Sequence, residues 1–329
     1  MTTAVITGTG WAVTGLAGVT DLLRPGSEAG PVFDLERDVT GRGLRHKDRA
    51  SRLALGAAER ALRAAGLLGA DLGAAAVVVS SNFGNLDTVC DFVDTIAAET
   101  VTEISPIRVP HMSSNVTACW VALEHGLSGP NLTLCSGIPS GLDALAWART
   151  LIVAGRADVA LVIGVEPDTA PVARLHRETG ADRWLDGAVA LVVEAGDHAR
   201  ARGATAHAEI RGYGRTLDPE SAERAALLES SAEPNAESRT GIGLWLGAGP
   251  AAGYPRTLDL SARLGRCSGA LGVLQCAVGA EYLAGQPAGD PGVLAVAGGP
   301  DTEGEGGAAA AMVLEKPCEG KDSGHDPDC

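Results

Sequence analysis

The sequence predicts an α/β fold built from two half-chains of similar order. Short runs of β-branched residues alternate with Ala- and Leu-rich stretches of helical period, which is the pattern of parallel strands joined by crossover helices. A chain of 329 residues is long enough for one large domain or two intimate ones. Glycine is abundant, at 44 residues, whereas Phe, Tyr and Trp number 3, 3 and 5. We therefore expect a core of Ala, Val and Leu packed closely against backbone.

The first half, taken as residues 1–200, opens with a strand over Ala4–Thr7 that ends in the turn Gly8-Thr9-Gly10. A helix over Lys47–Gly66 follows, because its apolar residues recur at helical spacing on one face. The other elements predicted in this half are strand Ala75–Ser80, helix Asn115–Gly126, strand Leu132–Cys135, helix Ser140–Ala154, and strands Val159–Gly164 and Val189–Glu194.

The second half, residues 201–316, repeats the scheme more loosely. Its predicted elements are strand Ala206–Gly212, helix Pro219–Leu228, strand Gly243–Leu246, helix Leu271–Leu283, and strands Val293–Ala297 and Ala309–Glu315. The polar stretch Ser230–Arg239 has a central proline and is typical of a surface loop. Residues 317–329 are polar and of mixed charge, and we expect them to form a disordered tail.

Charge and hydropathy exclude several classes of partner. Acidic residues outnumber basic ones 41 to 26, giving a formal net charge of −15, so a nucleic-acid backbone would repel the chain. The first residues lack the basic and apolar segments of a signal peptide, and no stretch reaches the roughly 18 uninterrupted apolar residues of a membrane span. We therefore expect a cytoplasmic protein with neither a nucleic-acid nor a membrane partner.

The cysteines and histidines do not predict a metal site. Seven cysteines are an odd number, no Cys-x-x-Cys occurs, and no two of the seven histidines have ligand spacing on a shared face. We interpret most of the cysteines as small buried hydrophobic residues in a reducing compartment. The turn Gly8-Thr9-Gly10 lacks the third glycine and the downstream acidic residue of a dinucleotide-binding loop, so it does not predict a phosphate site.

A series of short motifs in a fixed order carries a resemblance to a known family. The motifs are Val5-Ile-Thr-Gly-Thr-Gly10, Asp48-Arg-Ala-Ser-Arg-Leu-Ala-Leu55, the stretch Asn115–Pro130, Ser140-Gly-Leu-Asp-Ala-Leu145, Gly155-Arg-Ala-Asp-Val-Ala-Leu161, Asp186-Gly-Ala-Val-Ala-Leu191 and Leu264-Gly-Arg-Cys-Ser-Gly-Ala-Leu-Gly272. Over nearly its whole length the chain resembles the β-ketoacyl synthases of fatty-acid and polyketide assembly. The resemblance implies a thiolase-like fold, with a duplicated βαβ core in a layered α-β-α-β-α arrangement.

The resemblance also implies a cysteine nucleophile at the turn just before Ser140-Gly141-Leu142. A helix N-terminus there lowers the thiol pKa, and backbone N–H groups form an oxyanion hole. Alignment without gaps from Asn131 places Ile138 at this position, and a hydrocarbon cannot be acylated. Cys135 lies three residues earlier, within the predicted strand, and we interpret it as a packed core thiol.

Members of the family use two histidines to hold a malonyl carboxylate and stabilise the enolate. The corresponding positions are Leu246, in Leu246-Gly-Ala-Gly-Pro250, and Arg266, which follows Gly265. The family's C-terminal Gly-Phe-Gly-Gly-Thr-Asn loop reads Glu303–Ala309 here, without its phenylalanine. The sequence therefore predicts a retained scaffold with no catalytic residues.

A ketosynthase-like chain of this kind resembles the chain-length factor, or ketosynthase β subunit, of the type II polyketide synthases of antibiotic biosynthesis. The resemblance implies a non-catalytic but essential subunit. It would form a heterodimer with an active ketosynthase α subunit through the strand and helix around the nucleophile turn. It would also shape the tunnel for the growing polyketide or polyene chain.

The same resemblance implies no cofactor of the chain's own, because substrate arrives on the phosphopantetheine of an acyl carrier protein. Carrier proteins are acidic, so we expect the carrier to dock mainly on the partner subunit. The residues that we expect to line the tunnel lie after strand Ala75–Ser80, in the segment that family dimers project toward the partner, and at the nucleophile position. They are Phe83, Leu86, Cys90, Arg108, His111, Met112 and Ile138.

Two alternatives from other classes stay open. The first is an active acyltransferase or hydrolase that uses Cys135 or Ser136 with an unrecognised base. The second is a homodimeric acyl-binding scaffold with no synthase partner.

Overall fold

The computed structural model of the chain describes residues 2–24, 31–44, 47–177, 183–230, 241–249, 251–287, 291–299 and 307–317. Its strands are β1 (Ala4–Val13), β2 (Ala76–Ser80), β3 (Asn131–Leu134), β4 (Val159–Glu166), β5 (Gly187–Ala195), β6 (Ala208–Thr216), β7 (Ile242–Leu246), β8 (Thr257–Leu258), β9 (Gly292–Gly298) and β10 (Ala309–Glu315). Its helices are α1 (Thr20–Leu23), α2 (Leu35–Asp38), α3 (Arg49–Ala64), α4 (Leu86–Ala98), α5 (Val116–His125), α6 (Ser140–Val153), α7 (Ala170–Arg177), α8 (Gly196–Ala201), α9 (Pro219–Ser230), α10 (Ser261–Leu264) and α11 (Leu271–Ala284). Short 3₁₀ turns cover Arg42–Leu44, Val101–Glu103, Pro106–Met112 and Ser268–Ala270.

The described strands form one mixed sheet in the order β3-β2-β4-β5-β1-β6-β10-β9-β7-β8. In the first half β2 is parallel to β3 and β4, whereas β5 is antiparallel to β4 and β1. The second half has the matching arrangement, with β7 parallel to β9 and β8, and β10 antiparallel to β9 and β6. The prediction of parallel strands is therefore wrong for β1, β5, β6 and β10. A strand buried on both faces has the same apolar run in either direction, so the sequence does not reveal its polarity.

Three apolar clusters define five stacked layers. Alternate residues of β2 separate two of them, since Ala76 and Val78 belong to a central cluster while Val77 and Val79 pack with α3 and α5. The central cluster is filled by α6 and α11, between the two halves of the sheet. A third cluster joins α9 to the outer face of β7, β9 and β10. The α/β fold with its α-β-α-β-α layering is confirmed.

The predicted turn at Gly8-Thr9-Gly10 is wrong, because β1 continues through it to Val13. These glycines allow α3 to lie directly on the strand. A Cβ atom on Gly10 would be only 2.1 Å from the carbonyl oxygen of Ala57. The glycine pair is therefore a helix-packing feature.

Most other predicted elements are present with boundaries shifted by a few residues. Strands β1–β5 lie before residue 200 and β6–β10 after it. Strand β8 and helices α1, α2, α4, α7, α8 and α10 were not predicted. Of the predicted loop Ser230–Arg239, Ser230 ends α9 and residues 231–239 lie outside the described residues; of the predicted tail, only Pro317 is described. Within the described residues, no helix has the length and apolarity needed to cross a membrane.

Candidate active-site region

The loop from β3 to α6 contains the turn at which the sequence predicts Ile138 in place of the family's cysteine nucleophile. Gly137 has φ +77°, in the left-handed region that favours glycine, and its carbonyl accepts a hydrogen bond from the Ser140 N–H at 3.0 Å. The Ile138 side chain is 8% exposed and belongs to the central apolar cluster. A branched hydrocarbon thus lies two residues before α6 begins, close to a helix N-terminus that would favour a thiolate.

Three loops around this turn are joined by a buried carboxylate. Glu166, at the end of β4, is 3% exposed. Its Oε1 accepts hydrogen bonds from the Asn82 N–H at 2.7 Å and the Gly269 N–H at 3.0 Å, and its Oε2 accepts one from the Phe83 N–H at 3.1 Å. Charge-assisted bonds of this kind are stronger than neutral ones, so Glu166 holds the loop after β2 against the loop before α11.

The side chain of Asn82 extends the same connection to the nucleophile turn. Its Oδ1 accepts a hydrogen bond from the Gly137 N–H at 3.2 Å, and its Nδ2 donates to Ser268 Oγ at 2.7 Å. Ser268 has φ +41°, which is unusual for a residue with a side chain. Neither Asn82 nor Glu166 was predicted as a site residue. The available signal was an acidic residue that ends the continuous apolar run of β4.

The two residues predicted at the family's histidine positions are Leu246, which is buried, and Arg266, which is half-buried. Leu246 ends β7 with no exposed surface, and its carbonyl accepts a hydrogen bond from Gln275 Nε2 at 3.1 Å. The guanidinium of Arg266 lies 5.1 Å from the centre of the Trp184 ring. Arginine stays protonated in proteins, so neither side chain can perform the proton chemistry of an imidazole.

Cys135 and Ser136, the alternative nucleophiles, precede Ile138 beside a cavity of about 580 Å³. Cys135 is exposed, which corrects its interpretation as a packed core thiol, because β3 ends at Leu134 and leaves Cys135 in the loop. Partial burial and the charge of Glu166 nevertheless raise the pKa of its thiol. Among the described residues that line this cavity there is no histidine. A raised thiol pKa disfavours the thiolate that nucleophilic attack requires.

Ser136 is held by an ionic network that joins the turn to β6. Its hydroxyl donates to Asp143 Oδ2 at 2.6 Å, the Tyr213 hydroxyl donates to Asp143 Oδ1 at 2.5 Å, and Arg215 Nε lies 3.0 Å from that oxygen. Burial and the Asp143 carboxylate raise the pKa of Tyr213. Because Asp143 already has three partners, we interpret this network as support for the turn.

The predicted tunnel residues fall into separate groups. Arg108 and His111 line one cavity of about 490 Å³, between α3, α4 and the Pro106–Met112 turn. The remaining five lie elsewhere: Phe83 and Leu86 are half-buried near the start of α4, Cys90 is half-buried on α4, Met112 is 41% exposed, and Ile138 is in the core. Their assignment to a tunnel stays a prediction.

The first half of the chain matches a known family in sequence. Residues 29–179 match the family model described as the N-terminal domain of β-ketoacyl synthases. The 3-oxoacyl-[acyl-carrier-protein] synthase 2 of Rhizobium meliloti is 31% identical over 168 residues, covering 43% of this chain and 39% of that protein. Its counterpart from Vibrio cholerae is 27% identical over 210 residues, covering 56% and 51%. The chain thus spans about two fifths to one half of the length of these curated relatives.

Solved structures agree with the chain over almost its whole length. The ishigamide ketosynthase/chain length factor has a TM-score of 0.77 at 22% identity, covering 95% of this chain and 99% of that chain. A ketosynthase from a type II polyketide synthase complex with its acyl-carrier protein has a TM-score of 0.76 at 17% identity, covering 96% and 100%. The chain therefore has the thiolase-like fold of the β-ketoacyl synthases, and residues 29–179 carry the sequence pattern of their N-terminal domain.

Proposed function

We propose that the chain is a non-catalytic ketosynthase-like subunit, a chain-length factor, that pairs with an active ketosynthase and shapes the tunnel for a growing polyketide chain. The observation that carries this proposal is the burial of Ile138 at the nucleophile turn. Condensation requires a nucleophile that becomes acylated and groups that stabilise the developing negative charge. Ile138 supplies no nucleophile, and neither Leu246 nor Arg266 supplies an imidazole that could give up or accept a proton.

A free sheet edge supports pairing with a second chain. Among the described strands β3 is the terminal one and pairs only with β2. The carbonyls of Pro130 and Leu134 accept hydrogen bonds from the Val77 and Ser81 N–H groups of β2 and the residue after it. Alternation along the strand then directs the backbone groups of Thr133 away from β2. Such an edge is a template for another strand.

Exposed apolar side chains on both sides of β3 support the same conclusion. Both α5 and α6 pack against β3. Leu123 on α5 is 73% exposed, and Trp147 and Val153 on α6 are each 51% exposed. Large exposed apolar side chains also follow one another from α4 to the Pro106–Met112 turn, namely Val93, Ile96, Val101, Ile107, Val109 and Met112. Concentrated apolar surface of this kind is typical of protein interfaces.

The chain's net charge of −15 bears on the acyl carrier protein. An acidic carrier protein is steered away from an acidic surface, so the carrier docks mainly on the active subunit of the pair. The phosphopantetheine-bound substrate then reaches the shared tunnel from the partner's side, and this chain needs no cofactor of its own.

The isolated chain should form no thioester when it is incubated with an acyl-loaded carrier protein. The variant Ile138→Cys should remain inactive in condensation, because Leu246 and Arg266 still provide no imidazole. Intact-protein mass spectrometry measures acylation, and chromatography of the carrier-bound products measures condensation. Ile138→Val is the matched control, since it keeps a branched hydrocarbon at the turn.

Co-expression with an intact ketosynthase from the same gene cluster should yield a 1:1 complex that condenses. An acyl adduct on Cys135 or Ser136 of the isolated wild-type chain would contradict the proposal and favour an acyltransferase or hydrolase. A stable homodimer that does not bind the ketosynthase would favour the scaffold alternative.

In the assembled complex, Phe83→Ala should lengthen the released chain by at least one two-carbon unit. If the Phe83 ring lines the closed end of the tunnel, a longer chain overlaps with it sterically. Removing the ring creates space for that longer chain. Mass spectrometry of the products measures the change. Leu217→Ala, at a leucine that is 80% exposed in the second half, is the control and should leave product length unaltered. If an active complex with Phe83→Ala releases products of unchanged length, Phe83 does not line the tunnel.

A further inference from the structure

The cavity of about 490 Å³ that contains Arg108 and His111 has an unusual charge balance. Its wall consists of Lys47, Asp48, Asp87, Thr88, Asp91, Arg108 and His111. Three carboxylates thus lie around one space between α3, α4 and the Pro106–Met112 turn. The pairing of the two cations decides how much of this negative charge is left uncompensated.

Both cations in the wall are engaged away from Asp48 and Asp87. Arg108 Nη2 lies 2.8 Å from Asp91 Oδ2, and the guanidinium lies 5.3 Å from the centre of the Phe92 ring. Lys47 Nζ lies 3.9 Å from the centre of the Trp120 ring and donates a hydrogen bond to the Gly43 carbonyl at 3.0 Å. Asp91 is therefore ion-paired with Arg108, whereas neither Asp48 nor Asp87 forms an ion pair within the described residues.

The remaining carboxylates accept hydrogen bonds from their own helices. Asp48 accepts from the Ser51 N–H at 2.7 Å and the Ser51 hydroxyl at 3.0 Å, and Asp87 accepts from the Thr88 N–H at 2.8 Å. Burial raises the pKa of Asp48, and burial together with the charges of Asp48 and Asp91 raises the pKa of Asp87. Desolvation and like-charge repulsion are both relieved by a cation placed between the two groups.

A buried imidazole provides an independent observation. His111 is only 6% exposed, and no hydrogen bond reaches its ring from the part of the chain that the structure describes. The ring lies against Trp120, with centroids 5.6 Å apart, and lines the same cavity as Asp48. Buried polar groups normally have a partner, and a neutral imidazole nitrogen is a good acceptor for an N–H group.

A metal ion does not fit this arrangement, because no group of three His, Cys, Asp or Glu side chains in the described residues has the geometry to hold one. An organic cation is larger and brings its own hydrogen-bond donors. We propose that the cavity binds an alkylammonium or guanidinium group, which donates hydrogen bonds to Asp48, Asp87 and the His111 ring. The group belongs either to a free amine or to a lysine or arginine side chain of a protein partner.

The test uses n-butylammonium chloride as the probe and the full-length chain as the receptor. Saturable binding in the millimolar range is expected by ligand-observed NMR, with n-butanol and sodium butyrate, which share the alkyl chain but lack the cation, binding far more weakly. Asp87→Asn should raise the dissociation constant about tenfold, since it removes one charge-assisted hydrogen bond. Asp94→Asn, at an exposed carboxylate on the same helix but outside the cavity wall, is the matched control.

Binding should weaken as the pH falls through the raised pKa values of Asp48 and Asp87, because the protonated carboxyls no longer attract a cation. Lys47, Asp91, Arg108 and His111 also face the site. Absence of saturable binding, equal binding of n-butanol, or an unchanged dissociation constant in Asp87→Asn would each overturn the proposal.

A second arm distinguishes the two sources of the cation. If a partner's basic side chain fills the cavity, the complex with a ketosynthase should exclude the probe, and excess probe should weaken the complex. If a free amine fills it, the complex should bind the probe as the isolated chain does. Both results presuppose probe binding to the isolated chain, so failure of the ketosynthase pairing leaves the ammonium site testable by itself.

Discussion

Thr133→Pro is expected to weaken the proposed complex between this chain and a ketosynthase while leaving the fold intact. The Thr133 N–H faces away from β2, so proline removes a donor from the free edge and none from the existing ladder. The loss of that donor and the bulk of the pyrrolidine ring should weaken association by at least about tenfold. Biolayer interferometry or analytical gel filtration of the mixed subunits measures the effect.

Thr133→Val is the matched control, because it retains the backbone N–H and a β-branched side chain and should bind the ketosynthase like the wild type. Circular dichroism and thermal unfolding verify that both variants are folded. If Thr133→Pro is folded and still pairs with undiminished affinity, β3 is not the strand through which the heterodimer forms.

Glu166→Ala is expected to lower the free energy of unfolding by about 3 kcal/mol, since it leaves several buried N–H groups without an acceptor. The Asn82 and Gly269 N–H groups, at 2.7 and 3.0 Å, lose a charged partner at once. The loop after β2 and the loop before α11 should then separate from each other. Urea denaturation followed by circular dichroism measures the change in stability.

Glu166→Gln should have a smaller effect than Glu166→Ala, because the glutamine amide oxygen still accepts hydrogen bonds. Some stability is still lost, because the NH₂ group cannot accept from the N–H groups that face it. Glu124→Ala removes an exposed carboxylate from α5 and should change stability little. A loss in Glu166→Ala no larger than that in Glu124→Ala would show that the buried carboxylate does not hold these loops together.

The fold could be predicted largely from the sequence because its signals are local. The apolar runs of β2, β4 and β9 and the helical period of α3 specify buried strands and a covering helix without reference to the rest of the chain. Strand polarity is a tertiary property, so the antiparallel β5 was missed. Gly8 and Gly10 were misinterpreted for a similar reason. A glycine needed for close packing of a helix against a strand cannot be distinguished in the sequence from a glycine needed for a turn.

The sequence alone shows which residue occupies each position where the family has a catalytic residue. Ile138, Leu246 and Arg266 follow from position along the chain, and the structure places Ile138 in the core beside the start of α6. Residues that act by connecting distant loops were missed. Asn82 reaches Ser268 across 186 positions, and no local spacing announces such a contact. Arg108 and His111 line a cavity whose other described wall residues are mostly charged, and their place in a tunnel stays a prediction.

The shortness of β3 has a consequence for how a ketosynthase would be recognised. A four-residue strand offers few outward backbone groups, and backbone bonds of this kind form equally well with any extended sequence. Selective binding of one ketosynthase over another then depends on the exposed side chains of α5 and α6 beside β3, namely Leu123, Trp147 and Val153. Exchanging these α5 and α6 residues between paralogues, with β3 unchanged, should therefore change which ketosynthase is bound.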